Sequence, residues 1–308
     1  MKKILVFGSL NMDLSIEAEQ MPRNGETIDG KDFYMTPGGK GANQAVAAQK
    51  NGASTFMIGT VGDDIFGNQL VSALNSYGVD CQNVTKTKEA STGVAIITRH
   101  KGDNRIILSA GANYITNNTD ILNAINTLTK EGDIFLTQFE SDFDTVVNAI
   151  TTAKRHGLYT IFNPAPAKQI PITLYKEIDL LVVNQWENQM LTNIYPETES
   201  DCKKSIEYYL EHGVQSVIIT LGANGSVFGS HQQFIFVPSM QVTSVDTTAA
   251  GDTYIGTLAS SLAMGRPIKE SMQYATKAAA ITISKQGAQE SIPYKEEVEQ
   301  FKEEKHDE

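Results

Sequence analysis

The 308-residue chain is poor in cysteine. Its two, Cys81 and Cys202, lie far apart and in no CxxC pair. That argues against a disulfide framework and a cysteine-based zinc site, and it leads us to expect a reduced, cytoplasmic setting. Long apolar runs are missing too: no stretch approaches the ~20 residues needed to span a bilayer. The run at 4–8, after Met1-Lys2-Lys3, is too short for a secretory core. Positive charge is in deficit, with 25 Lys+Arg against 36 Asp+Glu and a net charge of −11. Neither nucleic acid nor an anionic membrane is therefore expected as the main partner, although backbone N–H groups can still bind phosphate locally. Histidine is sparse: His100, His156, His212, His231 and His306 are scattered, with no HExxH and no readable Ser-His-Asp arrangement. Zinc and serine hydrolase chemistries lack support on that account.

What is present is ordinary globular composition, 41% hydrophobic and 20% charged, enough for a large core. The length suits roughly two domains, or one large α/β domain with an appendage. Nearly continuous apolar, β-branched runs recur at 4–7, 56–58, 134–136, 159–162, 180–183 and 217–219, the pattern of strands buried on both faces. Helical-length segments lie between them at 64–77, 121–129, 143–156 and 202–212. Gly52, Gly78, Gly132, Gly157 and Gly213 stand where helix C-caps would fall. Alternating strand and helix predicts a mainly parallel sheet covered on both faces. Residues 13–19, 27–35, 92–98 and 105–109 instead read as short strands with polar alternation. We read these as a small extra sheet built by two insertions, at about 12–37 and 91–110. No linker or repeat divides the chain, so residues 1–308 are expected to form one α/β domain, closed by a charged helix and tail from Lys295 onward.

Five strings could carry chemistry. Gly8-Ser9-Leu10-Asn11-Met12-Asp13 follows the first strand, at the end of the sheet where ligands bind in open α/β folds. It is not GxGxxG. Asn11 and Asp13 could grip vicinal hydroxyls, or simply cap a polar turn. Gly38-Gly39-Lys40-Gly41-Ala42-Asn43 opens an Ala-rich helix; its glycines allow close backbone approach, or no more than a helix entry. It is no P-loop, because Gly41 follows Lys40 and Tyr34 holds the place of the distal glycine. Asn184-Gln185-Trp186-Glu187 after the strand at 180–183 could hold a hydrated metal or phosphate, and reads equally as a capping box.

Val245-Asp246-Thr247-Thr248-Ala249-Ala250-Gly251-Asp252-Thr253 is the sharpest string. The small residues at 249–251 leave the N–H groups of the following helix uncovered, a site for phosphoryl oxygens. There Asp252 can take a proton from an attacking hydroxyl, although Asp at a helix start is often only a cap. Finally, Thr220-Leu221-Gly222-Ala223-Asn224-Gly225 follows the strand at 216–219. It suits a loop lying against a nucleotide, or a turn into the next strand.

In this order and together, the strings resemble the PfkB-type, or ribokinase, family of carbohydrate kinases, over nearly the whole chain to Gly287-Ala288-Gln289-Glu290-Ser291. The resemblance implies a ribokinase-like three-layer α/β/α fold with a small β-sheet lid. It also implies ATP-dependent phosphorylation of the 5-hydroxyl of D-ribose to D-ribose 5-phosphate, the entry step of ribose catabolism. A fructose or nucleoside kinase, or a silent sugar-binding regulator, is the alternative. Position by position, the resemblance makes Asp252 the catalytic base, and Ala249, Ala250, Gly251 and Asp252 the anion hole. Asn11, Asp13, Gly39, Lys40, Asn43 and Glu140 become the sugar site. Asn184, Thr220, Leu221, Gly222, Ala223, Asn224, Gly225, Gly251 and Thr276 match nucleotide contacts, and Glu187 matches the residue organising Mg²⁺ and phosphate. A K⁺ site is implied at Asp246, Thr248, Thr282, Lys285, Gly287 and Ser291, with Lys285 and Thr282 acting through carbonyls because an ammonium cannot ligate a cation. Where many members have glycine this chain has Ala249, as ribose-using members often do, and Glu290 adds charge beside the cation loop. A homodimer is expected through the lids, whose apolar residues include Met12, Ile16, Ile28, Phe33, Ile96, Ile106 and Leu108.

Overall fold

A computed structural model of the chain describes residues 1–100 and 103–301. The tail expected beyond Phe301 lies outside the described residues. In chain order the first half runs β1 (Lys3–Phe7), β2 (Asn11–Ala18), β3 (Gly30–Gly38), α1 (Lys40–Lys50), β4 (Ser54–Gly62) and α2 (Ile65–Ser76). Then come β5 (Asp80–Thr87), β6 (Gly93–His100), β7 (Asp103–Ser109), α3 (Asn118–Leu128), β8 (Ile134–Gln138) and α4 (Phe143–Arg155). The second half adds β9 (Tyr159–Asn163), β10 (Leu180–Asn184), α5 (Gln185–Thr192), α6 (Glu199–Glu211) and β11 (Ser216–Thr220). It ends with β12 (Ser226–Ser230), β13 (Phe234–Val237), α7 (Ala250–Ala263), α8 (Ile268–Ile283) and α9 (Lys295–Gln300).

The nine-stranded main sheet has the order β13-β12-β11-β10-β9-β8-β1-β4-β5. It is parallel from β5 to β11, and β12 and β13 are antiparallel additions at one edge. The continuous apolar runs have a simple origin. Successive side chains of β1 alternate, Ile4 and Val6 entering one core and Leu5 and Phe7 the other, so a strand covered on both faces cannot afford a polar position. Helices α1, α2, α7 and α8 build the first core, and α3, α4 and α6 the second. The five predicted cap glycines all have positive φ, between 74° and 105°, where a Cβ would be strained.

The four strands with polar alternation form a separate sheet of order β3-β2-β6-β7, the expected lid. Its surface carries exposed Phe33, Met35, Ile96, Ile106, Ile107 and Leu108. Met12, expected among them, instead belongs to the buried core beneath the sheet, because β2 leaves β1 with its first residues still over the main domain. Ile16 and Ile28 are half-buried.

Candidate active site

Two helix N-termini meet above the carboxyl ends of the central strands. Their approach is set by α1 and α7: a Cβ on Gly256 would lie 2.3 Å from the Gln44 carbonyl oxygen and 2.7 Å from the Ala47 Cβ. This packing, made of glycine and alanine, brings the first turn of α7 onto the first turn of α1. Asp252, nearly buried, accepts hydrogen bonds from Asn43 Nδ2 at its Oδ2 (3.1 Å) and from Gln44 Nε2 at its Oδ1 (3.0 Å). Ala249 enters α7 in the left-handed region, with φ 60°. Ala250 N–H donates to Thr247 O at 3.3 Å and Thr253 N–H to Ala249 O at 2.7 Å, so between them the N–H groups of Gly251 and Asp252 lack a backbone acceptor among the described residues, at the positive end of the helix.

On the lid side lies a cavity of about 550 Å³, walled by β2, β3 and β6 and by the loops at 244–248 and 286–288. Asp13 enters it from β2. Burial first, then the negative charges of Glu140 and Asp252, push its carboxyl up to about 7, against the pull of Lys40. Asn11 is next to it, donating to Glu140 Oε2 (3.4 Å) and accepting from Asn113 Nδ2 (2.8 Å). Glu140 Oε2 also takes Ser9 Oγ (2.6 Å) and the backbone N–H of Lys40 (3.1 Å). Gly39 has φ 93°, and a Cβ there would strike Ser9 O and Asn11 N, each at 2.8 Å. The turn thus requires glycine to bring Asn11, Asp13, Lys40 and Asn43 together. Asn43 Oδ1 is buried without a partner, an acceptor of the kind a hydroxyl group satisfies.

A second cavity, of about 240 Å³, is lined by Lys40, Asn184, Glu187, Thr220 and the 249–252 turn. Thr247 lines both cavities. Burial lowers the Lys40 ammonium, but Asp252, Glu140, Glu187 and Asp13 outweigh it and hold the group above its usual value. Burial raises the Glu187 carboxyl against the opposing bond from Asn184 N–H and the charge of Lys40. The capping-box reading of the 184–187 string holds. Asn184 and Glu187 form a capping box on α5 (2.8 and 2.9 Å), and Glu187 also faces the cavity. A Cβ on Gly251 would meet nothing within 4 Å, so the cavity continues over that residue.

The 246–248 and 282–291 segments come together as a third group. Asp246 Oδ1 accepts from Thr248 N (2.9 Å) and Oγ1 (2.6 Å), and Oδ2 from Gly287 N (3.1 Å). Thr282 is buried against Thr253 (3.1 Å) and Ser291 against Ala288 O (2.7 Å), whereas the Lys285 side chain turns away to Glu297 (2.6 Å). Among the described residues no three His, Cys, Asp or Glu side chains gather as a metal site, so any cation here would rely on hydroxyl and carbonyl oxygen.

Thr276 is the outlier. It lines a separate groove of about 630 Å³ with Val237 and Pro238, not the cavity holding Asp252. That groove borders the 220–225 loop: Ser239 Oγ donates to Ala223 O, and a Cβ on Gly225 would strike Val237 O. Leu221, Gly222, Ala223, Asn224 and Gly225 therefore stand between Thr220 in the small cavity and Thr276 in the groove. Sequence reasoning missed Ser9, Gln44, Asn113, Gln138 and Asn163, all buried in the bonds around Asp252 and Glu140. Only Ser9 and Gln44 lie in or beside a string that drew attention.

The pfkB family carbohydrate kinase model matches residues 1–295; the chain belongs to that family. It is 40% identical over 304 residues to a ribokinase of Schizosaccharomyces pombe, covering 95% of each. It is 38% identical over 301 residues to a bifunctional ribokinase/ribose-5-phosphate isomerase A of Fructilactobacillus sanfranciscensis, covering 97% of this chain and 56% of that protein. A deoxyribokinase of Salmonella typhi is 34% identical, with 97% of each covered. Among solved structures, Arabidopsis thaliana ribokinase complexed with ribose and ATP superposes with a TM-score of 0.88 at 29% identity, covering 98% of this chain and 99% of that one.

Proposed function

We propose that this chain catalyses ATP-dependent phosphorylation of the 5-hydroxyl of D-ribose, giving D-ribose 5-phosphate and ADP. The carrying observation is the place of Asp252: it lines the small cavity, is fixed by two amides, and acts through its charge on Asp13 in the large one. The reading is supported by the ribokinase relatives at 38–40% identity. The sugar lies at the end of the large cavity that Asp13 lines, its hydroxyls reaching past Asp13 to Asn11, Asn43 and Glu140. The small cavity takes the transferred phosphoryl group. Asp252 accepts the proton as the hydroxyl oxygen bonds to the γ-phosphorus and ADP leaves with the bond electrons. A positioned base of this kind contributes ~10²–10⁴-fold. The N–H groups of Gly251 and Asp252 and the Lys40 ammonium meet the equatorial oxygens; one such donor is typically worth ~3 kcal/mol. The 220–225 loop and Thr276 flank the nucleotide, and the lid excludes water from the sugar.

The oxygen donors Glu187 and Asn184 suit Mg²⁺, a hard cation, which supplies charge neutralisation to ATP when bound. The Asp246, Thr248, Gly287 and Ser291 loops, with the carbonyls of Thr282 and Lys285, suit K⁺; their part is to hold the turn that leads into 249–252. Two lids meeting by their exposed apolar faces complete a homodimer.

The test is ADP release with D-ribose, 2-deoxy-D-ribose, D-fructose and adenosine, in K⁺ and with Na⁺ replacing it. The expected result is highest kcat/KM on D-ribose, phosphate on the 5-position by NMR, and a higher rate in K⁺. Preference for fructose or adenosine would overturn the substrate; equal rates in both salts would remove the K⁺ site.

A further inference from the structure

We propose that Gln44 is a positioning residue for phosphoryl transfer, its amide setting the direction of the Asp252 carboxylate and joining it, through Asn163, to Glu187. The inference rests on the reading of Asp252 as the base.

Gln44, Gln138 and Asn163 are buried side chains from three elements, α1, the end of β8 and the end of β9. They make a directed chain. Gln138 Nε2 donates to Gln44 Oε1 at 2.6 Å, which turns the Gln44 NH₂ toward Asp252 Oδ1 (3.0 Å) and Asn163 Oδ1 (3.4 Å). The Asn163 NH₂ then donates to Val182 O (3.0 Å) and Glu187 Oε2 (3.4 Å). Reversing the Gln44 amide would set its oxygen against a carboxylate and its NH₂ against the Gln138 NH₂; reversing Asn163 would set oxygen against Val182 O and Glu187. The nitrogen ends therefore all run toward the two carboxylates, an assignment the network itself dictates.

The neutral amides bond to the carboxylate without adding a further positive charge to that of Lys40, which would compete for the electron pair needed by the incoming proton. With Asn43 on Oδ2 and Gln44 on Oδ1, neither oxygen is free to swing. The chain has been given room at some cost in side chains: a Cβ on Gly8 would lie 2.1 Å from Gln138 Oε1. Gln138 does not line the cavity that holds Asp252, and its side-chain NH₂ donates to Gln44, so its hold on the Asp252 carboxylate passes through Gln44.

The experiment compares the full-length wild type with Gln44→Met, Gln138→Met, the double variant and Asp252→Asn, reading kcat, both KM values and thermal midpoint. Methionine keeps length and burial and removes the hydrogen bonds. For Gln44→Met the expected result is a kcat loss of about 10- to 100-fold, the scale of a misplaced catalytic group, with both KM values within about threefold. Gln138→Met loses less, and the double variant is no slower than Gln44→Met, because the second residue acts only through the first. Independent, multiplying losses would overturn the relay. If Gln44→Met does not fold, Gln138→Met alone decides, and an unchanged kcat there overturns the inference. An unchanged kcat in Gln44→Met beside an inactive Asp252→Asn overturns it while leaving the base in place. Activity retained in Asp252→Asn removes the base itself.

Discussion

Asp13, proposed to bind a sugar hydroxyl, also carries a stability signature. Its carboxyl is raised from 3.8 to about 7 by burial and by Glu140 and Asp252. A raised acid favours the folded state while protonated. Its stabilising contribution is thus whole below about pH 4 and is lost as the pH climbs through about 7. Without sugar, Asp13→Asn should remove that loss: thermal midpoints of the variant and wild type should diverge between about pH 5 and pH 8, with the variant the more stable at the upper end. The same variant should raise the KM for sugar, because the amide presents one acceptor oxygen and an NH₂ donor where the carboxylate presents two acceptors. Parallel melting curves across that window would contradict this account of Asp13. At this scale the sequence was legible wherever short strings join small residues to polar ones. Asn11, Asp13, Gly39, Asn43 and Asp252, which the fold brings together, could be singled out because each lies at a strand end or a small-residue helix start. Asn113, Gln138 and Asn163 could not, since a lone amide in a turn or at the end of an apolar strand has no spacing to betray it. Thr276 needed the fold to place it: one position on a helix does not tell which cavity that helix lines.

Elements were legible in proportion to their burial. Strands β1, β8, β9, β10 and β11 are buried almost throughout, and their apolar runs announced them. The edge strand β5 went unread because Asp80–Thr87 buries little beyond Cys81, leaving no periodicity. β13 was missed for a related reason: Phe234 and Phe236 point outward, so its alternation looks inverted. The small sheet was legible as texture, and the proposed lid-to-lid interface rests on the face it presents. Exposed Phe33, Ile106 and Ile107 on a four-stranded sheet form an apolar surface that a second lid would cover. Ile107→Asp, at the most exposed of these, should shift sedimentation from dimer to monomer while leaving the thermal midpoint of the main domain little changed. A wild-type chain that sediments as a monomer at micromolar concentration would contradict the lid interface.

The whole molecule has one organising feature: α1 and α7 start at the same point above the sheet. The glycine and alanine contacts between them draw two first turns together, one presenting amides and the other a carboxylate beside free N–H groups. The small sheet lies beside this point, and the two cavities share Thr247. In the proposed reaction an acidic protein handles an anionic substrate with helix ends and the ammonium of Lys40. That convergence was beyond the reach of the sequence, which held the two strings some two hundred residues apart.

The most direct measurement is D-ribose-dependent ADP release by Asp252→Asn against wild type, with thermal melting to show that both fold. The account predicts a folded variant whose kcat falls by about 10²–10⁴-fold, with ribose and ATP still binding. A variant that turns over at the wild-type rate would contradict the assignment of the base and, with it, the meaning given to the meeting of the two helices.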